Sequence, residues 1–554
     1  MSRTGGQILA DQLVLHGSEL AFCVPGESYL ALLDGLYEHR DVFRIVNCRH
    51  EGAAANAADA YGKLTGRPGI CLVTRGPGAT HAAAGVHTAM QDSSPLLMLV
   101  GQVARADRGR EAFQELDYEA VFGPMCKWAA EIDDTARIPE LLARAYSVAT
   151  SGRPGPVVLA LPEDMLEEKS DVPDGEHYIS FQPSPDLATI AELGERLGEA
   201  QRPLVLVGGG PWGAASSERF TAWALDSGLP VAATFRRQDI VDNTCASYVG
   251  DVGIGVNPKL AARVRECDLL IAVGTRLTEI ETQGYTLPAT PPQTPQPLVH
   301  VHPDPDEIGR VYEPALAILS GVAEFASVAP AVDGARWAQW TADARADYEE
   351  FQRHTPAPGR GVDLGEVLAH LRESLPPDAI ITNGAGNFAG WVTRFYRWRR
   401  FGTQLGPQSG AMGYGIPAAL AAQLLNPERT VIAFSGDGDF QMYGGELATA
   451  VQEGLPIIVL VVNNGTYGTI RMHQETHFPE RVIATDLSNP DFVALARAYG
   501  AHGERVEDAA DFPAALARAR GAGRPALIEL LTDAEALTPH ASLSEIRERG
   551  LAAR

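Results

Sequence analysis

A chain of 554 residues with 45% apolar content holds material for three or four cores of roughly 150 residues each. Its formal net charge of -25, from 70 acidic against 45 basic side chains, excludes a phosphate-backbone partner, because nucleic-acid binding needs clustered Lys and Arg. No apolar run approaches the ~20 residues that span a bilayer, and MSRTGGQILADQLVLHG at the N-terminus lacks the apolar core and cleavage site of a signal peptide. The six cysteines (Cys23, Cys48, Cys71, Cys126, Cys245 and Cys267) form no CxxC pair and read as reduced, buried thiols of a cytoplasmic protein.

In chain order, LAFCVPG, FRIVNC, GICLVTRGPG, PLLMLVGQ and GPVVLALPED predict strands, with TGGQILADQLVLHG and EGAAANAADAYGKLTG as helices between them. A polar connector, EEKSDVPDGEHYISFQPSPDL, separates this block from a second one carrying RPLVLVGGG, LPVAATF, CDLLIAVGTRL and PLVHVHPD. A charged, Trp-bearing helical stretch then leads to DAIITNGAG, TVIAFSGDGDF, LPIIVLVVNNG and RPALIELLTD. Strands alternating with helices predict an α/β protein of three doubly wound parallel-sheet domains, over residues 1–168, 188–330 and 358–540.

SGDGDF follows a strand, so it lies at that strand's carboxyl end, where open α/β sheets bind ligands. Gly436 and Gly438 allow the backbone to close around an anion, and Asp437 is a hard oxygen ligand. The next strand ends in Asn463-Asn464-Gly465, which brings a carboxamide to the same edge. One anionic and several neutral oxygens suit Mg²⁺, which shares its shell with phosphate oxygens.

This pairing of GDG with a downstream NN resembles the signature of the thiamine diphosphate (ThDP) enzymes, and the likeness extends over essentially the whole chain. The resemblance implies that Asp437, Asn464 and the Thr466 carbonyl hold Mg²⁺, with Gly438 and Asp439 offering backbone N–H groups to the diphosphate. It implies that SGAMGYG, through Gly410 and Met412, holds the aminopyrimidine and bends the cofactor. In NCRHEGAAANAADAYG it makes Glu51 the carboxyl that hydrogen-bonds an aminopyrimidine nitrogen and drives proton exchange. Pro25 and Gly26 of CVPG, and Thr74 of TRGPGATH, are then the loops flanking that ring. In this family Glu51 and Asp437 meet from different subunits, which implies a dimer at least and a tetramer as the usual assembly.

Among these enzymes the chain is similar to the acetolactate synthase catalytic subunit, through GPGATHAAAGVHTAMQDSSPLLMLVGQV, REAFQE and SGRPGPVVLALPED. Phe113 and Gln114 then fall in the donor pocket. Two positions depart from that group. Its GARFDDR arginine, which binds the carboxylate of the second keto acid, is replaced by Ile280, and its acceptor-pocket tryptophan by His473. An apolar side chain cannot pair a carboxylate, so the expected acceptor is an aldehyde or a proton, and His473 is a candidate for proton transfer. The resemblance thus implies decarboxylation of a 2-keto acid followed by protonation or carboligation. The alternatives are an aldehyde or 2-hydroxyacyl lyase of the benzaldehyde lyase or benzoylformate decarboxylase type, and a non-catalytic relative.

The central GGGPWG is formally a GxGxxG, but proline and tryptophan sit badly in a helix-opening fingerprint and no acidic residue ends the next strand, which argues against NAD. FAD binds this domain in acetolactate synthases and pyruvate oxidases. Gly209, Gly210 and Arg276 match that use, whereas ATFRRQD and VHPDPDE depart from it.

Overall fold

The computed structural model describes residues 2–293, 296–356 and 359–554; the expected boundaries at residues 1 and 358 lie outside them. Two short strands, β1 (Arg3–Thr4) and β8 (Lys169–Ser170), pair antiparallel. The first large sheet is built from β2 (Leu20–Cys23), β3 (Arg44–Asn47), β4 (Gly69–Val73), β5 (Leu96–Gln102), β6 (Trp128–Glu131) and β7 (Pro156–Pro162). The second comprises β9 (Pro203–Val207), β10 (Val231–Ala233), β11 (Tyr248–Asp251), β12 (Leu269–Val273), β13 (Leu298–His302) and β14 (Leu316–Leu319). The third holds β15 (Ile380–Asn383), β16 (Gln404–Leu405), β17 (Val431–Gly436), β18 (Ile458–Asn463), β19 (His502–Val506) and β20 (Ala526–Leu531).

All three large sheets are parallel, and the central strands are buried along their whole length, as a sheet covered by helices on both faces requires. Their strand orders are β3-β2-β4-β5-β7-β6, β11-β10-β9-β12-β13-β14 and β16-β15-β17-β18-β20-β19. In each, the chain winds outward in one direction, returns to the middle and proceeds toward the other edge; in the first and third sheets β6 and β19 take that edge, and β7 and β20 insert inside them. The reversal falls between β2 and β4, between β9 and β12, and between β15 and β17. Helices leave the sheet on opposite sides there, opening a crevice at the carboxyl edge. The sequence therefore delivers Pro25, Gly26 and Thr74 to the first crevice, Gly208, Gly209 and Arg276 to the second, and Gly384, Gly436 and Asp437 to the third.

The chain divides into two compact units, one comprising Met1–Phe181, Pro417–Leu425 and Tyr443–Glu453, the other the remainder, including the second and third sheets. In the first unit the Ala-rich helix Glu51–Thr65 packs tightly on the helix Pro77–Asp92. A Cβ on Gly85 would stand 2.4 Å from that of Ala55, so only small residues permit this approach. All six cysteines are free thiols, and among the described residues no helix is long and apolar enough to cross a membrane.

One interior group of the first unit sets an acid limit. His16 is 2% exposed, packs its ring at a 46° tilt against Tyr146 and accepts the Tyr178 N–H at Nδ1, and burial pulls its pKa down to about 4, with the nearby His177 adding to the effect. The unfolded chain binds a proton at this position from pH 6.5 downward while the folded chain does not, so the contribution is lost as pH falls from 6.5 toward about 4. His16→Asn is expected to flatten the fall in melting temperature across that window while lowering the neutral-pH value by a few degrees through lost ring packing. Thermal denaturation followed against pH checks both.

Candidate functional site

The third sheet's switch point opens into a cavity of about 250 Å³. Its wall includes Gly410, Met412, Gly436, Asp437, Gly438, Asp439, Asn464 and Thr466, so the third-domain residues singled out from sequence, His473 excepted, are gathered around one space. β17 and β18 are register neighbours, Gly436 opposite Val462, which places the residues beyond the end of each strand side by side. Asp437 begins the helix Asp437–Tyr443, and its carboxylate is 3% exposed. Oδ2 accepts the Gly465 N–H and the Asn489 Nδ2, each at 2.8 Å, while Oδ1 accepts the Gly438 N–H at 2.9 Å. Burial nevertheless raises its pKa against those donors. The Asn464 amide oxygen accepts the Thr466 N–H at 3.2 Å, and the Thr466 hydroxyl donates to the Thr485 carbonyl.

Asn489 carries no signal in the sequence. It bridges Asp437 and the Asn463 Oδ1 (2.9 Å), and its own oxygen accepts from Gln441, so its amide is held in one orientation. The only local sign is the Asn-Pro pair in LSNPDF, which carries no hint of a contact 52 residues away.

Gly436 and Gly438 have a second explanation besides approach to an anion. A Cβ on Gly438 would lie 2.4 Å from the Tyr467 ring, and one on Gly436 3.1 Å from Phe388. Both rings line the cavity, so the glycines also make room for its walls. The Asp439 side chain is more than a neighbour of the motif. It is buried, and its Oδ1 accepts the N–H groups of Ala385 (2.9 Å) and Gly413 (2.8 Å), tying together the loops beyond β15 and β16. Burial pushes its pKa up to about 6, opposed by those amides, Ser435 and the Arg236 charge. Gly410 and Gly413 both adopt positive φ (70° and 81°), the turn that presents Met412 to the cavity.

The first unit holds a second constellation. Glu51 is the first residue of its helix, capped by His50, whose Nδ1 accepts the Gly52 N–H at 3.0 Å. The buried Glu446 carboxylate accepts the N–H groups of Arg49 (2.8 Å) and His50 (3.0 Å) and fixes the approach to that helix. Glu51 Oε2 lies 2.9 Å from the His81 Nδ1, while Oε1 faces Gly78, whose Cβ would stand 3.4 Å away. Across the switch point Gly26 meets Thr74 so closely that a Cβ would fall 2.3 Å from the threonine, and the Thr74 hydroxyl is 2.9 Å from that of Ser28. Pro25 precedes this contact, beyond the end of β2.

Phe113 is 72% exposed, which removes it from core packing, and Gln114 adopts φ 67° against Gly76. Ile280 is partly exposed on a turn after β12, where its carbonyl accepts from Gln283, and His473 is exposed on the helix Gly468–His477, stacked over His477. Neither belongs to the wall of the cavity beside Asp437.

At the second switch point the glycines approach protein. A Cβ on Gly209 would fall 2.2 Å from the Gly274 carbonyl and one on Gly210 3.0 Å from Val322, while the Trp212 indole donates to the Gly208 carbonyl at 3.0 Å. Their small size is used in loop-on-loop packing, while Gly209 and Gly210 remain partly exposed.

Three family models match the chain: the thiamine pyrophosphate enzyme N-terminal TPP binding domain over residues 3–121, the central domain over 190–328 and the C-terminal TPP binding domain over 384–530. The acetolactate synthase large subunit of Parasynechococcus marenigrum is 34% identical over 548 residues, 95% of this chain and 87% of that protein. The acetolactate synthase isozyme 2 large subunit of Escherichia coli is 30% identical over 555 residues, 98% and 99% of the two chains. The chain is a thiamine diphosphate-dependent enzyme of the acetolactate synthase-like family. For this enzyme, Gly438→Ala is expected to force the Tyr467 ring out of the cavity wall, at a cost of about 1–3 kcal/mol. Calorimetric titration should then find ThDP binding at least about tenfold weaker, and unchanged binding would contradict the packing described.

Proposed function

We propose that this enzyme decarboxylates a 2-keto acid and transfers the remaining acyl carbon to an acceptor without a carboxylate, an aldehyde or a proton, using ThDP and Mg²⁺. The observation that carries the reading is the single cavity shared by Asp437, Asn464, Thr466, Gly410 and Met412. Its donor set of one carboxylate, one carboxamide and a main-chain carbonyl fits Mg²⁺, whose remaining positions go to phosphate oxygens and water. A buried carboxylate with its pKa raised fits a cation too, since the cation supplies the charge that burial removes.

Bound ThDP supplies a carbon nucleophile and an electron sink for the charge left when CO₂ departs. The rest falls to the chain. Asp437, Asn464 and the Thr466 carbonyl hold the metal; Gly436, Gly438 and Asp439 bring backbone to the phosphates; and the Gly410–Met412 turn supports the pyrimidine. Glu51 exchanges the proton through Oε1, while Oε2 is oriented by His81. Pro25, Gly26 and Thr74 shape the adjoining loop, and Phe113 and Gln114 face the donor. The family resemblance supports a homo-oligomer, a dimer at least and a tetramer by preference, in which Glu51 serves the cofactor bound by a second subunit. Six free thiols support a cytoplasmic setting.

The preference for an acceptor lacking a carboxylate rests on Ile280, an apolar side chain in the place of the family's carboxylate-binding arginine. His473 is proposed as a polar group of the acceptor side. We assign no flavin to the central domain, because Gly209 and Gly210 pack against protein; flavin absorbance in the purified enzyme would contradict this.

Glu51→Gln is expected to lower turnover by about 10²-fold or more while ThDP affinity stays within a few-fold of wild type. Hydrogen–deuterium exchange at the reactive cofactor carbon should fall in parallel, and a variant of near-normal activity would contradict the assignment. Incubation with ThDP, Mg²⁺ and a panel of 2-keto acids, with and without aldehydes, should release CO₂ and yield a hydroxy ketone when an aldehyde is supplied. Absence of CO₂ from every keto acid would favour a lyase or a non-catalytic relative.

A further inference from the structure

The segment Arg236-Arg237-Gln238-Asp239 lies just past β10 of the central sheet, yet Arg236, Gln238 and Asp239 are buried in contacts with the third sheet's loops. Arg236 is 5% exposed and holds a left-handed backbone, φ 60°, which a side-chain-bearing residue rarely adopts. Its guanidinium donates to the Pro407 carbonyl and, at 3.0 Å, to the Gly384 carbonyl, and its stem lies against Gly406, where a Cβ would meet Cδ at 2.9 Å. Pro407 leads directly into Gly410–Met412, and Gly384 adjoins Ala385; both loops are the ones whose amides converge on Asp439.

Two residues further on, the same segment grips β16. The Gln238 N–H donates to the Gln404 Oε1 at 2.7 Å, and the Gln404 amide returns a hydrogen bond to the Gln238 Oε1 at 2.8 Å. Asp239 Oδ2 accepts the N–H groups of Gly402 (2.9 Å), Thr403 (3.2 Å) and Gln404 (3.3 Å). β16 has only two residues and sits at the edge of its sheet, paired with β15 alone, so its own ladder does little to fix the loop at its carboxyl end.

We propose that Arg236, with Gln238 and Asp239, forms a positioning latch supplied by the central domain, which sets the Gly406–Met412 loop and the Gly384–Ala385 turn in the geometry that receives ThDP. The latch rests on the proposed binding of ThDP at this cavity. Arg236 acts from outside the cavity wall and reaches the cofactor only through these two loops. A planar fork is the group that can hold two carbonyls from different loops at once, which a lysine ammonium on a flexible stem does less well.

The test uses Arg236→Gly, which removes the fork and suits the positive φ, and Arg236→Lys, which keeps the charge. ThDP is titrated into metal-loaded full-length protein well below the melting temperature of each apo variant, with binding read by calorimetry and by the near-UV circular dichroism of the bound cofactor. Arg236→Gly is expected to weaken binding about tenfold or more and to alter the dichroism, with Arg236→Lys recovering part of the loss. An affinity within about threefold of wild type for Arg236→Gly overturns the latch. Should that variant not fold, Asp239→Asn, which weakens the grip on the Gly402–Gln404 amides, decides by the same threefold limit. Failure of wild-type protein to bind ThDP would overturn the cofactor assignment itself, whereas normal wild-type binding with an equally tight Arg236→Gly removes the latch alone.

Discussion

The structure turns on one desolvated negative charge. Asp437 stands at the carboxyl end of β17, almost fully buried, with three hydrogen bonds to its oxygens and a pKa still raised by burial. A carboxylate in such a place is costly unless a cation completes it. Around it, the neighbouring strand ends at Asn463 with Asn464 just beyond, and Asn489 from a distant loop segment holds the Asp437 carboxylate by a hydrogen bond. On the proposed reading the polypeptide builds half of an ionic site, with metal and phosphate as the other half.

Three parallel sheets, each with one switch point, give three crevices, and the chain uses them differently. At the first, Gly26 and Thr74 touch closely beside a helix that begins with Glu51; at the third, glycines and Met412 surround a cavity. At the second, Gly208, Gly209 and Gly274 close upon one another and on Trp212. The central domain's polar investment lies elsewhere, in Arg236, Gln238 and Asp239 against the third sheet's loops. On the proposed latch, the central domain helps to shape its neighbour's crevice.

Much of this is legible in the sequence because the relevant signals are local. Apolar runs ending in glycine predict parallel strands, and the residues just past those ends fall at the switch points. Asp437 and Asn464 come directly after strands that prove to be adjacent, so a spacing of 27 residues becomes a shared wall. Long-range hydrogen bonds leave no such trace. Nothing near Asn489 announces Asp437, and nothing near Glu446 announces the amides of Arg49 and His50, almost 400 residues earlier. Approach to an anion is an incomplete account of Gly438 for the same reason, since the Tyr467 ring that needs its missing Cβ arrives from the next strand's end. Ile280 and His473 are legible as departures from a family pattern, and neither lines the cavity beside Asp437.

The most direct test of the buried-charge site is ThDP binding measured by calorimetry with and without Mg²⁺, in wild type and in Asp437→Asn. Tight binding is predicted only when metal and the carboxylate are both present, with either loss weakening affinity by about two orders of magnitude or more. Equal affinity in the absence of any divalent cation, or in Asp437→Asn, would contradict it.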